Sequence, residues 1–302
     1  MISIHRRYST SSNYRYGFNG QEHVNELNSS SYDFGARMYD SRIGRFFSID
    51  KYAKQFPNIS PYLFAYNNPI FFVDVNGEFG DDARGRFYTI MGSAAINVIT
   101  NLNANVNSYK ALYMLAQYRL ENGFDLNPPG NNPFNVKGQG DAGQIILTTT
   151  EYINGKKATL QQSFANFTSL QAGINGYVSL LSTNFPNAKL ALMDNSKTIT
   201  DFANGLMNGK LGVYATDPNY ATNLKNMLKG VINDYQKDLN NQIQENNRLI
   251  ASNNEFIGRR ETTAEDKREA KKSNEALKKL NKKLNAEIKN LENFKKSEGL
   301  SD

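Results

Sequence analysis

After Tyr235 the chain contains no proline and no further tyrosine, and its apolar residues recur at intervals of seven: Ile243, Ile250 and Ile257, then Leu277, Leu284 and Leu291. A seven-residue repeat keeps one apolar stripe along a helix, with Leu239 and Leu280 in the complementary heptad positions. Gly258 to Asp266 is a natural turn between the two runs, and Thr263 with Asp266 has the pattern of a helix-opening capping box. Residues 233–302 are therefore expected to form an antiparallel α-helical hairpin, or coiled coil. Asn246, Asn253 and Glu287 interrupt the stripe where apolar residues are expected, so a solvated charged helical tail is the competing reading.

Composition narrows the chemistry. With 302 residues the chain can hold one large domain or two to three small ones. A hydrophobic content of 39% can build a core, but a mean hydropathy of −0.60 implies that part of the chain is extended or solvated. Cysteine is absent, which removes thiol nucleophiles, disulfides and cysteine-based zinc sites. The two histidines, His5 and His23, lie near the start outside any ligand-like spacing, so neither a histidine triad nor a metal site is expected. Hydrolytic chemistry would have to rest on carboxylates and tyrosines, and no cofactor is expected. The net charge of +6 suits any polyanion, whether nucleic acid, anionic membrane or acidic cell-wall polymer, and does not choose among them. No apolar run reaches the ~18 residues needed to span a bilayer. The opening Met-Ile-Ser-Ile-His-Arg-Arg has no apolar signal region, so passage across a membrane would need a signal-peptide-independent route.

Residues 79–232 read as mixed helix and strand. Phe87 to Ile99 is periodic and apolar. A second helix ends at Glu121, with Ser108 as its N-cap, a face of Leu112, Leu115, Ala116 and Leu120, and Gly123 as a left-handed C-cap. Gln144–Tyr152 and Lys157–Phe164 are two strands joined by Asn154-Gly155, a strong hairpin signal. Leu170–Leu181 reads as a helix. Another begins at Asp217-Pro218, with aspartate as N-cap and proline in the first helical position.

Residues 13–78 are rich in Tyr, Phe, Asn and Gly, with alternating Tyr14, Tyr16 and Phe18, which predicts short strands and hairpins. The ordered elements Gly20-Gln21-Glu22, Tyr32-Asp33-Phe34-Gly35-Ala36-Arg37-Met38-Tyr39-Asp40, Ile43-Gly44-Arg45-Phe46, Ser60-Pro61-Tyr62 and Asn67-Asn68-Pro69-Ile70 resemble an RHS-repeat-associated core. That resemblance implies a modular secreted polymorphic toxin whose effector domain follows the core. The family's Asp-Pro-x-Gly-Leu ending reads Asp74-Val75-Asn76-Gly77-Glu78 here, without the proline and the leucine. That departure puts self-cleavage at the junction in doubt.

Four further segments, Ala116-Gln117-Tyr118-Arg119-Leu120-Glu121-Asn122-Gly123, Asn132-Pro133-Phe134-Asn135-Val136-Lys137, Thr148 to Gly155, and Tyr214 to Ala221, resemble in their order the peptidoglycan N-acetylglucosaminidases of the autolysin and flagellar-hydrolase type. The resemblance spans residues 86–232. It implies an α+β, mainly helical, lysozyme-like catalytic domain carrying a β-hairpin, set between the β-rich RHS remnant and the helical hairpin. It also implies cleavage of the β-1,4 bond between N-acetylglucosamine and N-acetylmuramic acid.

Glu121 would be the acid, since the negative end of a helix and the apolar Leu120 and Phe124 both disfavour its charged form. By resemblance Glu151 corresponds to the carboxylate that activates water, as an inverting mechanism requires. The substrate's own 2-acetamido group is the alternative. Tyr214 and Tyr220 bracket the expected helix start, where they orient water or the acetamido group, or pack around the cap. Phe124 stands where the family carries tryptophan. Phe134 is expected to offer a ring face to a sugar or to sit in the core, and Lys137 to contact glycan or peptide stem.

The implied partners are peptidoglycan glycan strands, with room for an immunity protein and for self-association or partner helices through the hairpin; no nucleic acid is expected. Made in the cytoplasm, the protein would act in the cell envelope or periplasm. A nucleic-acid-targeting RHS toxin and an inert interaction protein are the competing readings.

Overall fold

The computed structural model describes residues 21–24, 30–51, 53, 60–64, 77, 83–125, 127–153, 156–259 and 262–300. The chain divides into two compact units. One comprises Met1–Asp50, Pro61–Asp81 and Lys237–Lys289; the other comprises Lys51–Ser60, Asp82–Gln236 and Asn290–Asp302. The expected Tyr14–Phe18 strand and the Asn67–Glu78 motif lie outside the described residues, Gly77 excepted.

In the first unit four short strands, β1 (Glu22–His23), β2 (Ser31–Asp33), β3 (Met38–Asp40) and β4 (Arg45–Phe46), form an antiparallel meander. Strands this short contribute few ladder bonds. What anchors them is a cluster of buried rings, with Phe34 edge-on to Tyr39, Phe46 and Phe64 at 5.4, 5.5 and 5.6 Å. Arg37 lies 3.7 Å over the Phe46 ring and pairs with Asp50 at 2.9 Å, both side chains buried. The guanidinium also donates to the Gly77 and Pro61 carbonyls, which helps to offset the desolvation of that pair.

The same unit holds the inner lengths of two long helices. In chain order the helices are α1 (Ala83–Leu102), α2 (Ala111–Asn122), α3 (Leu170–Thr183), α4 (Pro186–Met193), α5 (Ile199–Met207), α6 (Tyr220–Gly258) and α7 (Ala264–Ser297). The helical hairpin read from the heptads is α6 and α7. Its turn ends as expected, with the Asp266 N–H donating to Thr263 Oγ1 at 3.1 Å. The polar interruptions have a different meaning from the one expected. Asn246 and Asn253 are fully buried, and Asn246 donates to Asn281 at 2.7 Å and Asn253 to Asn274 at 2.8 Å. Asn274 and Asn281 in turn donate to Asn254 and Asn247 at 2.8 and 2.9 Å. Amide pairs at core positions of a coiled coil fix register at a cost in stability, and here they hold the two helices in one alignment. Ile243, Ile250 and Ile257 are only half-buried.

In the second unit α2 is the central element. Every residue from Ala111 to Tyr118 is buried, on all sides of the helix. Asn107, not Ser108, opens this segment. Its side chain accepts the Tyr109 N–H at 3.0 Å, and a single 3₁₀ turn at Ser108–Lys110 precedes α2. Around α2 pack α1, α3 and the α4–α5 pair, the last two so close that a Cβ on Gly205 would lie 2.2 Å from the Ala188 nitrogen. Strands β5 (Gln144–Ile153) and β6 (Lys156–Ala165) form the expected hairpin. Ile153 pairs with Lys156, which leaves two residues for the turn at Asn154 and Gly155, outside the described residues. The final helix of this unit starts at Tyr220 rather than at Pro218. Asp217 accepts the Asn219 N–H at 2.9 Å and forms the turn that precedes it.

Candidate active site

The carboxyl end of α2 emerges from the core just where Glu121 stands. Residues up to Tyr118 are buried, whereas Arg119 to Asn122 are half-exposed. Gly123, at φ +62°, turns the chain away, and its N–H donates to the Arg119 carbonyl at 2.9 Å. Arg119 faces away from Glu121. It pairs with Asp234 at 2.6 Å, donates to the Tyr88 hydroxyl at 2.9 Å and covers the Phe124 ring at 4.5 Å.

The Asn-Pro-Phe-Asn-Val-Lys loop reaches Glu121 by being pinned at its base. The Asn132 amide donates to the Val136 and Ala165 carbonyls at 2.8 and 3.0 Å and accepts the Val136 N–H at 2.9 Å. Asn122 donates to the Pro133 carbonyl at 2.7 Å. A Cβ on Gly173 would lie 2.1 Å from the Asn131 carbonyl, so α3 also lies directly against this loop. Asn135 takes φ +50°, a conformation asparagine tolerates better than other branched residues, and its amide donates to Glu121 Oε2 at 3.0 Å.

On the other oxygen, the Tyr220 hydroxyl donates to Glu121 Oε1 at 3.3 Å. One helical turn before Glu121, the fully buried Gln117 donates to the Tyr220 hydroxyl at 3.2 Å and accepts a hydrogen bond from the Tyr177 hydroxyl. Burial raises the Glu121 carboxyl above its ordinary range, and the bonds from Asn135 and Tyr220 offset part of that rise. The phenols of Tyr177, Tyr214 and Tyr220 are pushed far up, first by burial and also by the nearby Glu121 charge, so all three keep their protons. The cluster is thus a carboxyl group shifted toward its protonated form, with neutral phenols around it.

The remaining candidates divide. Tyr214 and Tyr220 stand together, ring centroids 6.0 Å apart, but only Tyr220 touches Glu121; the Tyr214 hydroxyl donates to the Phe134 carbonyl and so braces the loop. Phe134 has no exposed surface. It stacks on Tyr177 at 3.9 Å and meets Tyr118 edge-on, so it is a core plug and cannot present a face to a sugar. Phe124 packs edge-to-face on Phe87 and Tyr88 beneath the Arg119 guanidinium, which makes it a packing residue as much as a rim residue. Lys137 is exposed at the loop end, its backbone bridged to Phe164. Glu151 pairs in register with Ala158 on the hairpin, and its side chain lies outside the described residues. Gln117, Asn132 and Asn135 were not singled out from the sequence, although all three belong to the quoted motif segments and Gln117 sits one turn before the acid. Among the described residues no cluster of three His, Cys, Asp or Glu side chains could hold a metal.

Residues 99–236 match the glucosaminidase family model, described as mannosyl-glycoprotein endo-beta-N-acetylglucosaminidase. The chain is 34% identical over 115 residues to the peptidoglycan hydrolase FlgJ of Escherichia coli O157:H7, a similarity covering 37% of this chain and 34% of that protein. A probable N-acetylmuramidase of Lactococcus lactis subsp. cremoris (strain MG1363) is 31% identical over 134 residues, covering 41% of this chain and 30% of its own length. The chain therefore spans about a third of the length of these curated relatives. A solved C-terminally truncated glycoside hydrolase domain from Salmonella typhimurium FlgJ is 28% identical, covering 50% of this chain and 97% of that one, at a TM-score of 0.34. Among the described residues no helix is long and apolar enough to cross a membrane.

Proposed function

We propose that the chain is a peptidoglycan glycosidase cutting the β-1,4 bond after N-acetylglucosamine, with Glu121 as general acid. The observation that carries this reading is the partly buried Glu121 carboxyl at the end of α2, raised by desolvation and held on both oxygens by Asn135 and Tyr220. Its proton passes to the glycosidic oxygen as the C1–O bond breaks, and the leaving sugar departs as a neutral alcohol. A water molecule adds to C1 and gives up its proton to Glu151, the role the family resemblance gives that residue, with the substrate's own 2-acetamido group as the alternative nucleophile. The similarity of residues 99–236 to the glucosaminidase model supports this assignment.

In the same reading residues 13–78 are a delivery module of the RHS type, the target is the glycan of the cell envelope, and an immunity protein shields the producer. Self-association, or capture of partner helices, falls to the α6–α7 hairpin.

The test is incubation of the purified chain with peptidoglycan sacculi, following reducing ends and muropeptide masses, with Glu121→Gln as control. Products ending in reducing N-acetylglucosamine, absent with the variant, are expected. Reducing N-acetylmuramic acid would reassign the bond cut. Degradation of DNA or RNA that persists in the variant would overturn the reading.

A further inference from the structure

We propose that Gln117 and Tyr177 are positioning residues, which together set the direction of a hydrogen-bond relay running Tyr177–Gln117–Tyr220–Glu121 and thereby dedicate Oε2 of Glu121 to carrying the transferable proton. The inference rests on the reading of Glu121 as proton donor and adds to it which oxygen does the work and what enforces the choice.

Donor accounting fixes the direction. Gln117 is buried completely, so its amide depends on protein partners. Its carbonyl accepts the Tyr177 hydroxyl, which leaves the NH₂ facing the hydroxyls of Tyr220, at 3.2 Å, and Tyr214. The Tyr220 oxygen is then an acceptor toward Gln117, and its single proton points at Glu121 Oε1, 3.3 Å away. A proton placed on Oε1 would face the Tyr220 proton along one line. Accommodating it would require Tyr220 to turn, Gln117 to flip its amide and the buried Tyr177 to surrender its acceptor.

Among the described residues no such chain stands behind Oε2. Its partner is the side-chain amide of the half-exposed Asn135 at 3.0 Å, which can rotate to present its carbonyl to a protonated oxygen. The relay therefore holds Oε1 as an acceptor and leaves Oε2 to take up and release the proton.

Among the described residues the titratable groups facing Glu121 are Tyr177 of α3, Tyr214 of the loop before α6, and Tyr220 of α6, all held protonated by burial. On α2 itself Arg119 is committed to Asp234. None of the three phenols changes charge in the range where Glu121 titrates, so a shift in its midpoint on substitution of a phenol reports hydrogen bonding rather than a lost charge.

The experiment is a ¹³C NMR titration of the Glu121 side-chain carboxyl in the full chain, assigned by its loss in Glu121→Gln and independent of any turnover. Tyr177→Phe keeps the ring that stacks on Phe134 and removes only the hydroxyl. With the relay free to reverse, a protonated Oε1 can donate to Tyr220, the neutral acid gains a bond that the intact chain denies it, and the midpoint moves upward. The expected pattern is an upward shift for Tyr177→Phe and for Tyr220→Phe, and no further shift when the two are combined. Gln117→Leu, if it folds, abolishes the effect of Tyr177→Phe.

A Tyr177→Phe midpoint equal to wild type, or shifts that simply add, would overturn the relay. The alkaline limb of kcat/KM on sacculi should follow the NMR midpoint while KM stays in place. Wild-type protein that shows the coupled shifts but never cleaves sacculi would overturn the enzymatic reading and leave the relay standing.

Discussion

The Glu298 side chain accepts the backbone N–H of Ile199, the first residue of α5, at 2.7 Å through Oε2, and the Tyr113 hydroxyl of α2 at 2.5 Å through Oε1. A carboxylate at the N-terminus of a helix meets unpaired N–H groups and the positive end of the dipole. Lys110, also buried, lies 3.9 Å from Oε1 and donates to the Tyr113 hydroxyl at 2.8 Å and to the Lys197 carbonyl. Burial lowers the Lys110 ammonium, and the Glu298 charge opposes that fall.

Glu298→Ala leaves that ammonium buried without its counter-charge and α5 without its anion. Breaking one partner of a buried pair costs about 3–5 kcal/mol. Urea unfolding should show a loss of this size. Lys110→Met/Glu298→Leu should recover much of it, because no uncompensated charge remains. A Glu298→Ala variant as stable as wild type would show that the network contributes nothing.

Glu121→Gln should reduce turnover on sacculi by about 100- to 10,000-fold, the range for loss of a general acid. The same substitution should act on stability in the opposite sense. A carboxyl whose pKa is raised by folding binds its proton more tightly in the native state. Its stabilising contribution is therefore full below the ordinary value of 4.5 and is lost as pH rises through the higher folded value. The stability of wild type relative to Glu121→Gln should fall as pH increases across that window, read from urea midpoints in a pH series. A difference that grows with pH would contradict the raised carboxyl.

Gly173→Ala tests the loop rather than the acid. Its new Cβ would meet the Asn131 carbonyl and Pro133, forcing the loop away from α3 and with it Asn135 from Glu121. Overpacking of this kind costs about 1–3 kcal/mol. Turnover on sacculi should fall even under conditions where circular dichroism shows the variant folded. Full activity would mean that the loop position is immaterial.

Asn253→Ala removes the amide that donates to Asn274 at 2.8 Å and to Ser273 at 3.3 Å. Leaving a buried partner unsatisfied costs about 1–3 kcal/mol, and removing both partners together costs less than the sum. Asn253→Ala/Asn274→Ala should therefore be more stable than the two single losses added together. Strict additivity in denaturant unfolding would mean that the asparagines act independently.

Local chemistry was readable in the sequence. The heptads, the positive-φ Gly123, the β5–β6 pair and the Glu121-bearing helix all depend on spacing within a few residues, and each formed. What spacing could not reveal was burial. Phe134 has the same composition whether it lines a groove or plugs a core, and only its stacking on Tyr177 decides the matter. Asn246 and Asn253 looked like flaws in a stripe because their partners lie on the returning helix.

The helix caps failed by a residue or two for a similar reason. Ser108 and Asp217-Pro218 are good cap chemistry, but Asn107 caps the first end and Asp217 accepts the Asn219 N–H in a turn before the second. Helices α4 and α5 are short and were not anticipated. The capping box of Thr198 with Asp201, whose carboxylate accepts the Thr198 N–H at 2.8 Å, was the signal that could have found α5. Gln117 and Asn135 act on Glu121 through contacts that no periodicity encodes.

The docking of Phe294, Glu298 and Leu300 among residues of the Asp82–Gln236 stretch has a consequence for how the protein is made. Synthesis proceeds from the amino end, so α2 and Glu121 leave the ribosome long before Glu298 does. The whole α6–α7 hairpin must be translated before Lys110 meets its counter-charge and α5 its anion. Contacts so distant in sequence slow folding, because the intervening loop must first be closed. Completion of the unit that carries Glu121 is thus deferred until Glu298 has emerged.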